Sequence, residues 1–418
     1  MSSPVTLPYR LLFTLLSPAL LAYTLWQANK GKSWRYLRER CGRYQSPHSN
    51  PAPIWLHAAS VGEFKATLPL IAALRQRQEN LPIMLSTSTI SSARLAAQLL
   101  PDVLHVFLPL DWPGAVHNFL HKYRPRCALI VETELWPNLF AACAARHIPM
   151  IIINGRLSRR TLHAPRWLKR QYGQTLSLAT AILARSATDK KGFLALGAPA
   201  DLCQVIGNIK FSATTQKATP LQLPRPYVLA ASTRDGEELL IWRAWQGLKD
   251  NDHLLVIVPR HPHRLAEILR TLALPATQIA VRSRQQDIQT TTRVYIADTF
   301  GELTGFIAGA ELVFMGGSLV PKGGQNILEV AHQGKAVIFG PYMDNFADEA
   351  RLLLEHQAAI QIANPAELAT VLHELLAQPA KCAALGVAAQ QLVAQQQDVA
   401  MRYAEALDTW CQGNAEEL

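Results

Sequence analysis

Short apolar runs alternate with segments of helical spacing from residue 54 onward. The runs are rich in Ile, Val and Leu without alternating polar residues, as is typical of strands buried on both faces. Segments between them, such as Phe64–Gln76 and Leu135–Ala145, have helical periodicity. This rhythm predicts an α/β protein with a parallel, doubly wound sheet. The predicted strands are Ile54–Ala58, Ile83–Ser86, Leu104–Leu108, Ala128–Val131, Met150–Ile153 and Ala181–Ala184.

The rhythm breaks at Ser212–Pro226, a polar stretch with three prolines that reads as a linker. It then restarts and ends in a helical stretch, Pro365–Trp410, with Asn364 as a plausible cap. The predicted division is an anchor segment at 1–32, a first α/β domain at 33–215 and a second at 216–418. Ligands of open α/β sheets bind beyond the carboxyl ends of the strands, so a cleft between the domains is the expected site. The second-domain strands are predicted at Val228–Ala231, Leu254–Val258, Val294–Ile296, Leu312–Met315 and Ala336–Phe339.

The amino-terminal segment departs from this rhythm. Leu11–Trp26 is uncharged and rich in Leu, but it is short against the ~20 residues that span a bilayer. Basic residues follow it, which is the reverse of the order in a cleavable signal peptide and leaves the rest of the chain in the cytoplasm. The segment is predicted to anchor the protein by spanning a membrane or by lying in its interface. A buried helix kinked at Pro18 is the alternative.

Charge and cysteine usage narrow the function classes. The net charge of +10 favours an acidic partner, such as nucleic acid, anionic lipid or a phosphorylated substrate. No Asp or Glu occurs between Glu134 and Asp189, and this stretch is interpreted as an anion-facing surface, although a solvated face would explain any single arginine. The six cysteines include no C-x-x-C pair, which argues against a disulfide framework or a structural zinc site. The basic residues of the stretch are Arg146, Arg156, Arg159, Arg160, Arg166, Lys169, Arg170 and Arg185.

Polar residues follow several first-domain strands. Glu63 comes shortly after the first strand and begins a helix, where it is either a general base or a carboxylate favoured by the helix dipole. Glu132 and Glu134 come directly after a buried strand, where charges are costly unless they are paired or solvated in a cleft. Arg156 and Lys210 follow two later strands. These groups are expected to converge on one sheet edge, and a structural ion-pair network is the alternative for some of them.

The second domain carries basic and glycine-rich elements at its strand ends. Arg260 follows one strand and is suited to grip a phosphate. Gly316 begins a glycine-rich stretch that lets the backbone approach a phosphate, and Asn326 and Glu329 follow on one helical face. The G-x-G-x-x-G and Walker spacings are both missing, which argues against NAD and ATP. His261 and His263 have no matching ligand cluster, so a metal site is not predicted.

Taken together, these segments resemble the Kdo (3-deoxy-D-manno-octulosonic acid) transferases of lipopolysaccharide synthesis, which have the two-domain GT-B fold. The resemblance extends from the amino-terminal anchor to about residue 350, and the two most specific stretches are VETELWPN and GGSLVPKGGQNILE. The matching stretches are LHAASVGE (56–63), VETELWPN (131–138), NGRLS (154–158), GNIKFS (207–212), ASTRDGEE (231–238), VPRHPHR (258–264), DTFGEL (298–303) and GGSLVPKGGQNILE (316–329).

The resemblance implies an inverting, metal-independent transferase that uses no cofactor, bound by its amino terminus to the cytoplasmic side of a bacterial inner membrane. It implies CMP-Kdo as donor, a tetraacyl lipid A precursor (lipid IV-A) as acceptor, anionic membrane lipid as a further partner, and no nucleic acid. Gln325 and Arg234 stand where the family frequently has histidine. The implied catalytic residues are Glu63, Glu132 and Lys210; the candidate donor residues are Pro259, Arg260, Phe300, Gly301, Glu302, Gly317, Ser318, Asn326, Ile327, Leu328 and Glu329; the candidate acceptor residues are Ser60, Gly62, Glu134 and Arg156.

Two rival interpretations remain at the level of the sequence. One is another GT-B enzyme, such as a UDP-sugar transferase or epimerase, which differs in its choice of nucleotide. The other is a non-enzymatic basic membrane adaptor or nucleic-acid binder, which would have no need of clustered glutamates at strand ends. No RRM, KH or helix-turn-helix pattern supports nucleic-acid binding.

Overall fold

The structure is a computed structural model that describes residues 4–45, 52–212, 218–248 and 252–411, with residues 159, 160 and 411 described by their backbone only. The chain forms two compact units. The first contains Met1–Ala213 together with Asp398–Leu418, and the second contains Thr214–Gln397. The sequence-based division assigned 216–418 to the second domain, and its last part is corrected here, because the final helix belongs to the first unit.

The first unit is built on a seven-stranded parallel sheet in the order β3-β2-β1-β4-β5-β6-β7. All six predicted strands are present, and the short edge strand β7 is an addition. The strands are β1 Ile54–His57, β2 Ile83–Thr87, β3 Leu104–Phe107, β4 Cys127–Val131, β5 Met150–Gly155, β6 Ala181–Ala184 and β7 Cys203–Val205. The helices are α1 Leu7–Lys30, α2 Trp34–Arg40, α3 Val61–Arg77, α4 Ile90–Leu99, α5 Pro113–Tyr123, α6 Pro137–Ala144, α7 Arg159–Leu162, α8 Arg166–Leu176 and α9 Ala187–Ala195.

The second unit repeats this plan with a parallel sheet in the order β10-β11-β9-β8-β12-β13-β14. Two short strands, β10 and β14, add to the five predicted ones. The strands are β8 Tyr227–Thr233, β9 Leu254–Pro259, β10 Ile279–Val281, β11 Val294–Ile296, β12 Leu312–Met315, β13 Ala336–Phe339 and β14 Ile360–Gln361. The helices are α10 Glu237–Gln246, α11 Leu265–Leu272, α12 Leu303–Gly309, α13 Leu328–His332, α14 Ala347–Glu355, α15 Pro365–Ala377 and α16 Pro379–Gln395.

The carboxyl-terminal helical stretch is divided into α15, α16 and a final helix, α17, at Val399–Cys411. Asn364 caps α15 by accepting hydrogen bonds from the N–H groups of Ala366 and Glu367, as its position in the sequence predicted. Tyr403 and Leu407 of α17 are fully buried in the same core as Leu56 of β1. Helix α17 therefore packs beside α3 in the core on one face of the first sheet.

Helix α1 lies along the first unit and faces it with one stripe of side chains. Tyr9, Phe13 and Ser17 are partly buried, and Thr24 and Ala28 are buried, at the three- and four-residue spacing of one helical face. The opposite face exposes leucines, and α1 is long and apolar enough to cross a membrane, which by itself is weak evidence for an anchor. The buried stripe shows that α1 is also part of the folded unit.

Candidate functional site

Glu63 lies in the first turn of α3 and closes a reciprocal cap. The Ser60 hydroxyl accepts a hydrogen bond from the Glu63 N–H and donates one to Glu63 Oε1 at 3.0 Å. Glu63 Oε2 accepts a hydrogen bond from the Ala59 N–H at 2.7 Å. This Ser-x-x-Glu arrangement is a variant of the capping box in which the glutamate accepts the N–H one residue before the cap, so Glu63 does have a structural role at the start of the helix.

The surroundings of Glu63 nevertheless differ from those of an ordinary cap. Burial and the neighbouring charge of Glu132 raise the pKa of Glu63 to about 7, and Glu134 adds to this although the Ala59 N–H opposes it. A carboxylate with a pKa near neutrality is matched to proton transfer at physiological pH. Glu63 therefore combines a helix cap with a pKa that would suit proton transfer near neutral pH.

Glu132 and Lys210 form an ion pair beside Glu63. Lys210 Nζ lies 3.3 Å from Glu132 Oε1, and both side chains are about one-fifth exposed. The backbone of Glu132 is left-handed, with φ at 59°, which costs energy in a residue that has a side chain. The turn after β4 thus holds Glu132 in a fixed, strained position, and strain of this kind clusters at functional sites.

Glu134 belongs to the same turn and is held by two partners. Trp136 donates its indole N–H to Glu134 Oε2 at 2.8 Å, and Nε2 of the buried His57 lies 3.9 Å from the same oxygen. Burial alone would raise the pKa of Glu134, but His57 and the Trp136 N–H bring it below its usual value. His57 is oriented by the Ser86 hydroxyl, 2.8 Å from its Nδ1. The two glutamates therefore differ in acidity, since the pKa of Glu63 is raised and that of Glu134 is lowered.

The final helix holds the loops that carry Arg156 and Lys210. The Tyr403 hydroxyl accepts a hydrogen bond from the Asn154 N–H and lies within hydrogen-bonding distance of the Leu183 and Gly207 carbonyls. Asn154 is left-handed, with φ at 50°, and its side chain accepts the Ile209 N–H at 3.1 Å. One phenol thus joins the loop after β5 to the loop before Lys210. No sequence motif indicated this role, since the motifs end near residue 350.

In the second unit, Arg260 follows the buried end of β9 and its side chain is exposed. Its backbone N–H donates to the Thr233 carbonyl, which fixes the turn after Pro259. Arg234, at a position where the family frequently has histidine, donates to His261 Nε2 at 2.8 Å. His261 Nε2 therefore accepts a hydrogen bond from a cation, and burial and Arg234 lower the pKa of His261. In the described part of the chain, no three His, Cys, Asp or Glu residues come together as metal ligands would.

Glu237 organises the glycine-rich stretch and was missed at the level of the sequence. Its side chain is fully buried and accepts backbone N–H groups from Arg234 at 2.8 Å and from Gly317, Ser318 and Leu319 at 2.6, 3.0 and 2.9 Å. Burial raises the pKa of Glu237, and these donors offset part of the rise. Gly316 has no room for a side chain there, because a Cβ would come within 2.6 Å of the Thr233 Cα.

This arrangement corrects the donor assignment of Ser318. Ser318 is fully buried, and its hydroxyl donates to the Met315 carbonyl and accepts the Gly340 N–H. The N–H groups of Gly317 and Ser318 are both bound to Glu237 and do not point freely at a phosphate. These two residues therefore support the loop rather than offering a ligand their hydrogen-bonding groups.

The segment from Asn326 to Glu329 follows the glycines. Asn326 Nδ2 donates to Glu329 Oε1 at 3.1 Å, and Asn326 Oδ1 accepts the Leu328 N–H, so the two polar side chains share one face as predicted. Ile327 and Leu328 are buried, which leaves only their backbone for a ligand. The helix α13 has just five residues, so its dipole contributes less than a long helix would.

The loop Phe300–Glu302 precedes α12 and exposes an aromatic ring. Phe300 is 84% exposed, and Gly301 takes a positive φ of 85° that favours glycine. Arg282, which the sequence did not single out, binds Glu302 with two hydrogen bonds of 2.5 and 2.9 Å. Arg282 lowers the pKa of Glu302 to about 2, so this carboxylate stays ionised. Arg282 and Glu302 thereby fix the base of the loop.

The structure thus brings the catalytic candidates of the first unit together. Lys210 pairs with Glu132, and the charges of Glu132 and Glu134 raise the pKa of Glu63. Ser60 belongs to the cap of Glu63, and Gly62 is exposed in the same turn. Arg156 is partly buried at the end of β5. The side chains of Arg159 and Arg160, which belong to the predicted anion-facing stretch, lie outside the described residues.

Residues 35–213 match the family of 3-deoxy-D-manno-octulosonic-acid transferases (kdotransferases). A 3-deoxy-D-manno-octulosonic acid transferase from Bordetella pertussis is 32% identical over 403 residues, which cover 91% of this chain and 93% of that protein. The protein of the same description from Haemophilus influenzae is 33% identical over 373 residues and covers 86% and 87%.

Solved structures with much lower identity share the fold. A glycosyltransferase from Rickettsia africae has a TM-score of 0.62 at 14% identity and covers 88% of this chain and 100% of its own. A UDP-GlcNAc 2-epimerase from Neisseria meningitidis has a TM-score of 0.58 at 12% identity and covers 86% and 99%. These likenesses show the fold alone, and they confirm the GT-B type that the sequence predicted.

Proposed function

This chain belongs to the 3-deoxy-D-manno-octulosonic acid (Kdo) transferase family, and we propose that it moves Kdo from CMP-Kdo to a tetraacylated lipid A precursor with inversion at the transferred carbon. The observation that carries the proposal is the cluster at the strand ends of the first unit. Glu63 has a pKa near 7 there, beside the Glu132–Lys210 ion pair. A proton acceptor next to a fixed cation suits a reaction in which a hydroxyl attacks and an anion leaves.

In the proposed reaction, Glu63 takes the proton from a hydroxyl of the lipid-linked glucosamine. The oxygen forms a bond to C2 of Kdo while the bond from C2 to the phosphate oxygen breaks, and its electron pair leaves with CMP. Lys210 offsets the developing negative charge, and its ion pair with Glu132 holds it in place. We propose that fixed protein cations of this kind, rather than a metal ion, offset the charge.

The second unit is proposed to bind CMP-Kdo. Its exposed candidates are Arg260, for the phosphate, and the loop that carries Phe300. Asn326 and Glu329 form a polar pair that is suited to the hydroxyl groups of a ribose. Glu237 and Arg282 are proposed to hold the surrounding loops without touching the donor.

Incubation with CMP-Kdo and tetraacyl lipid A precursor tests the proposal. Mass spectrometry should show the acceptor gaining Kdo, and CMP should raise the temperature of thermal unfolding while UDP does not, because only a bound ligand stabilises the folded state. Protection by UDP without Kdo transfer would instead support a UDP-sugar enzyme.

The pH dependence of kcat/KM should show a rising limb with an apparent pKa near 7. Glu63 accepts a proton only when it is ionised, so activity should be low below that pH and level above it. Glu132→Gln should move this limb to lower pH, because it removes the neighbouring negative charge that helps to raise the pKa of Glu63. The measurement is kcat/KM between about pH 5 and about pH 9. A limb that Glu132→Gln does not move would contradict the assignment to Glu63.

The amino-terminal helix is proposed to hold the protein at the cytoplasmic face of the inner membrane by lying in the interface. Its inner stripe is bound to the first unit, since Tyr9 donates to Asp111 at 2.9 Å and Trp112 donates to the Ser17 hydroxyl at 2.8 Å. Its outer face exposes Leu11 and Leu15. A helix with one apolar outer face suits an in-plane position, and the basic residues that follow suit anionic lipid.

Leu11→Ser together with Leu15→Ser should weaken vesicle binding at least about tenfold, because each buried leucine contributes roughly 1.5–3 kcal/mol. Co-sedimentation of the full-length protein with anionic vesicles at high salt measures this. Val387→Ser, which changes an exposed apolar residue of α16, should have no effect. Unchanged binding of the double variant would favour a spanning helix, which tolerates two serines.

A further inference from the structure

A cavity of about 270 Å³ lies in the first unit against the amino-terminal helix. Helix α1 contributes Tyr9 and Phe13 to its lining, and α8 contributes Leu168 and Tyr172. The rings of Tyr9 and Phe13 are stacked, with centroids 5.5 Å apart. Two helices distant in the sequence thus form an apolar surface that neither presents alone.

The turn after β4 also lines this cavity. It contributes Leu135 and Trp136, and also Glu134, whose carboxylate accepts the Trp136 indole N–H. Glu134 is near enough to Glu63 to raise its pKa. The cavity therefore adjoins the proposed catalytic cluster.

Specific polar bonds hold α1 at the cavity. Tyr9 donates to the buried Asp111, whose carboxylate also accepts the N–H groups of Asn138 and Leu139 at the start of α6. The Thr6 N–H donates to Gln171 of α8 at 2.7 Å. These hydrogen bonds fix α1 against the first unit. The side of the cavity that α1 forms is therefore a fixed part of the fold.

The lining of the cavity is mostly apolar apart from Glu134 and two threonines, and the neighbouring helix α8 is basic. Arg166 and Arg170 of α8 are exposed, and the sequence from residue 135 to 188 contains no acidic residue. An occupant with an apolar chain and an anionic headgroup matches this combination.

We propose that the cavity takes one acyl chain of the lipid acceptor, so that α1 is a wall of the acceptor site as well as a membrane contact. This inference rests on the proposed function, in which the acceptor is an acylated, phosphorylated lipid. At about 270 Å³ the cavity is slightly smaller than the roughly 300–1,000 Å³ of pockets that hold drug-sized molecules, so it has room for part of one chain rather than for several. The chain would place the sugar headgroup beside Glu134 and the catalytic cluster.

Two substitutions that narrow the cavity from opposite walls test this proposal in the full-length protein. Phe13→Trp and Leu168→Trp should each raise the KM for the tetraacyl acceptor at least tenfold and leave the KM for CMP-Kdo unchanged. Leu99→Trp is the matched control at the end of α4 in the same unit, where the side chain is 47% exposed, and it should change neither constant. Thermal unfolding identifies any variant that fails to fold, and the other variant then decides.

Calorimetric titration without donor separates this proposal from the proposed function. Tetraacyl lipid A precursor should bind the wild type and bind both narrowed variants at least tenfold more weakly, whether or not Kdo transfer occurs. Equal binding by wild type and narrowed variants overturns the cavity proposal, as does an equal loss in Leu99→Trp. Tighter binding of dioleoylphosphatidylglycerol than of the acceptor also overturns it and assigns the cavity to membrane lipid. Failure of the wild type to transfer Kdo overturns the proposed function alone.

Discussion

Glu63→Gln is expected to lower kcat/KM by about 10²–10⁴-fold, the usual contribution of a general base. Glutamine cannot take up the proton of the attacking hydroxyl. Its one side-chain oxygen can still accept the Ala59 N–H, and its NH2 group can donate to the Ser60 hydroxyl in place of the bond that Ser60 donates to Glu63. The fold, the CMP affinity and the temperature of thermal unfolding should therefore stay close to those of the wild type.

Ser60→Ala is the matched control, since it removes the cap and keeps the base. It should cost about 1 kcal/mol of stability, because the Glu63 N–H loses its partner, and it should reduce activity far less than Glu63→Gln does. Steady-state kinetics with both substrates, together with thermal unfolding of each variant, separates the two roles. If Glu63→Gln keeps more than about a tenth of the wild-type activity, Glu63 is a helix cap and not the base.

The sheets were readily predicted because their strands are short runs of Ile, Val and Leu that must be buried on both faces. The strands that were missed, such as Cys203–Val205 and Ile360–Gln361, have two or three residues and lie at sheet edges. Such a run is too short to show a period. Gln204 and Val205 are exposed, so the apolar signal of a buried strand is also absent there.

The sequence could not predict which domain the last helix packs against. Periodicity identifies the apolar face of a helix but not the core in which that face is buried. The sequence predicted a helix up to Trp410 and assigned it to the second domain. Tyr403 instead contacts Asn154, Leu183 and Gly207 of the first unit, between 196 and 249 residues away along the chain. Such pairings are set by tertiary packing, which leaves no local pattern.

The candidate site was also predicted only in part, because some of its contacts join residues that are distant in the sequence. Glu132 and Lys210 follow strands of one sheet, and their pairing follows from the rule that parallel strands end at a common edge. Glu237 was missed because an acidic residue at the start of a helix has an ordinary explanation in the helix dipole. Its partners Gly317 and Ser318 lie 80 and 81 residues further along the chain.

Glu237→Gln is expected to weaken CMP binding at least tenfold and to lower the free energy of unfolding by about 2–4 kcal/mol. The carboxylate accepts four backbone N–H groups, two of them at each oxygen. The amide of glutamine has only one oxygen. Its NH2 group would face two backbone N–H groups, from which it cannot accept hydrogen bonds. Each buried N–H left without a partner costs roughly 1–3 kcal/mol, so the stretch from Gly317 to Leu319 should move away.

Calorimetric titration with CMP and denaturant unfolding measure the two effects in the same samples. Glu267→Gln is the control, because Glu267 binds Arg264 with a side chain that is about half exposed, and its loss should change neither quantity appreciably. The two readouts separate support of the donor loop from support of the fold. A variant that is less stable but binds CMP as tightly as the wild type would show that the glycine-rich stretch keeps its donor-binding shape without Glu237, and the proposed positioning role would then be wrong.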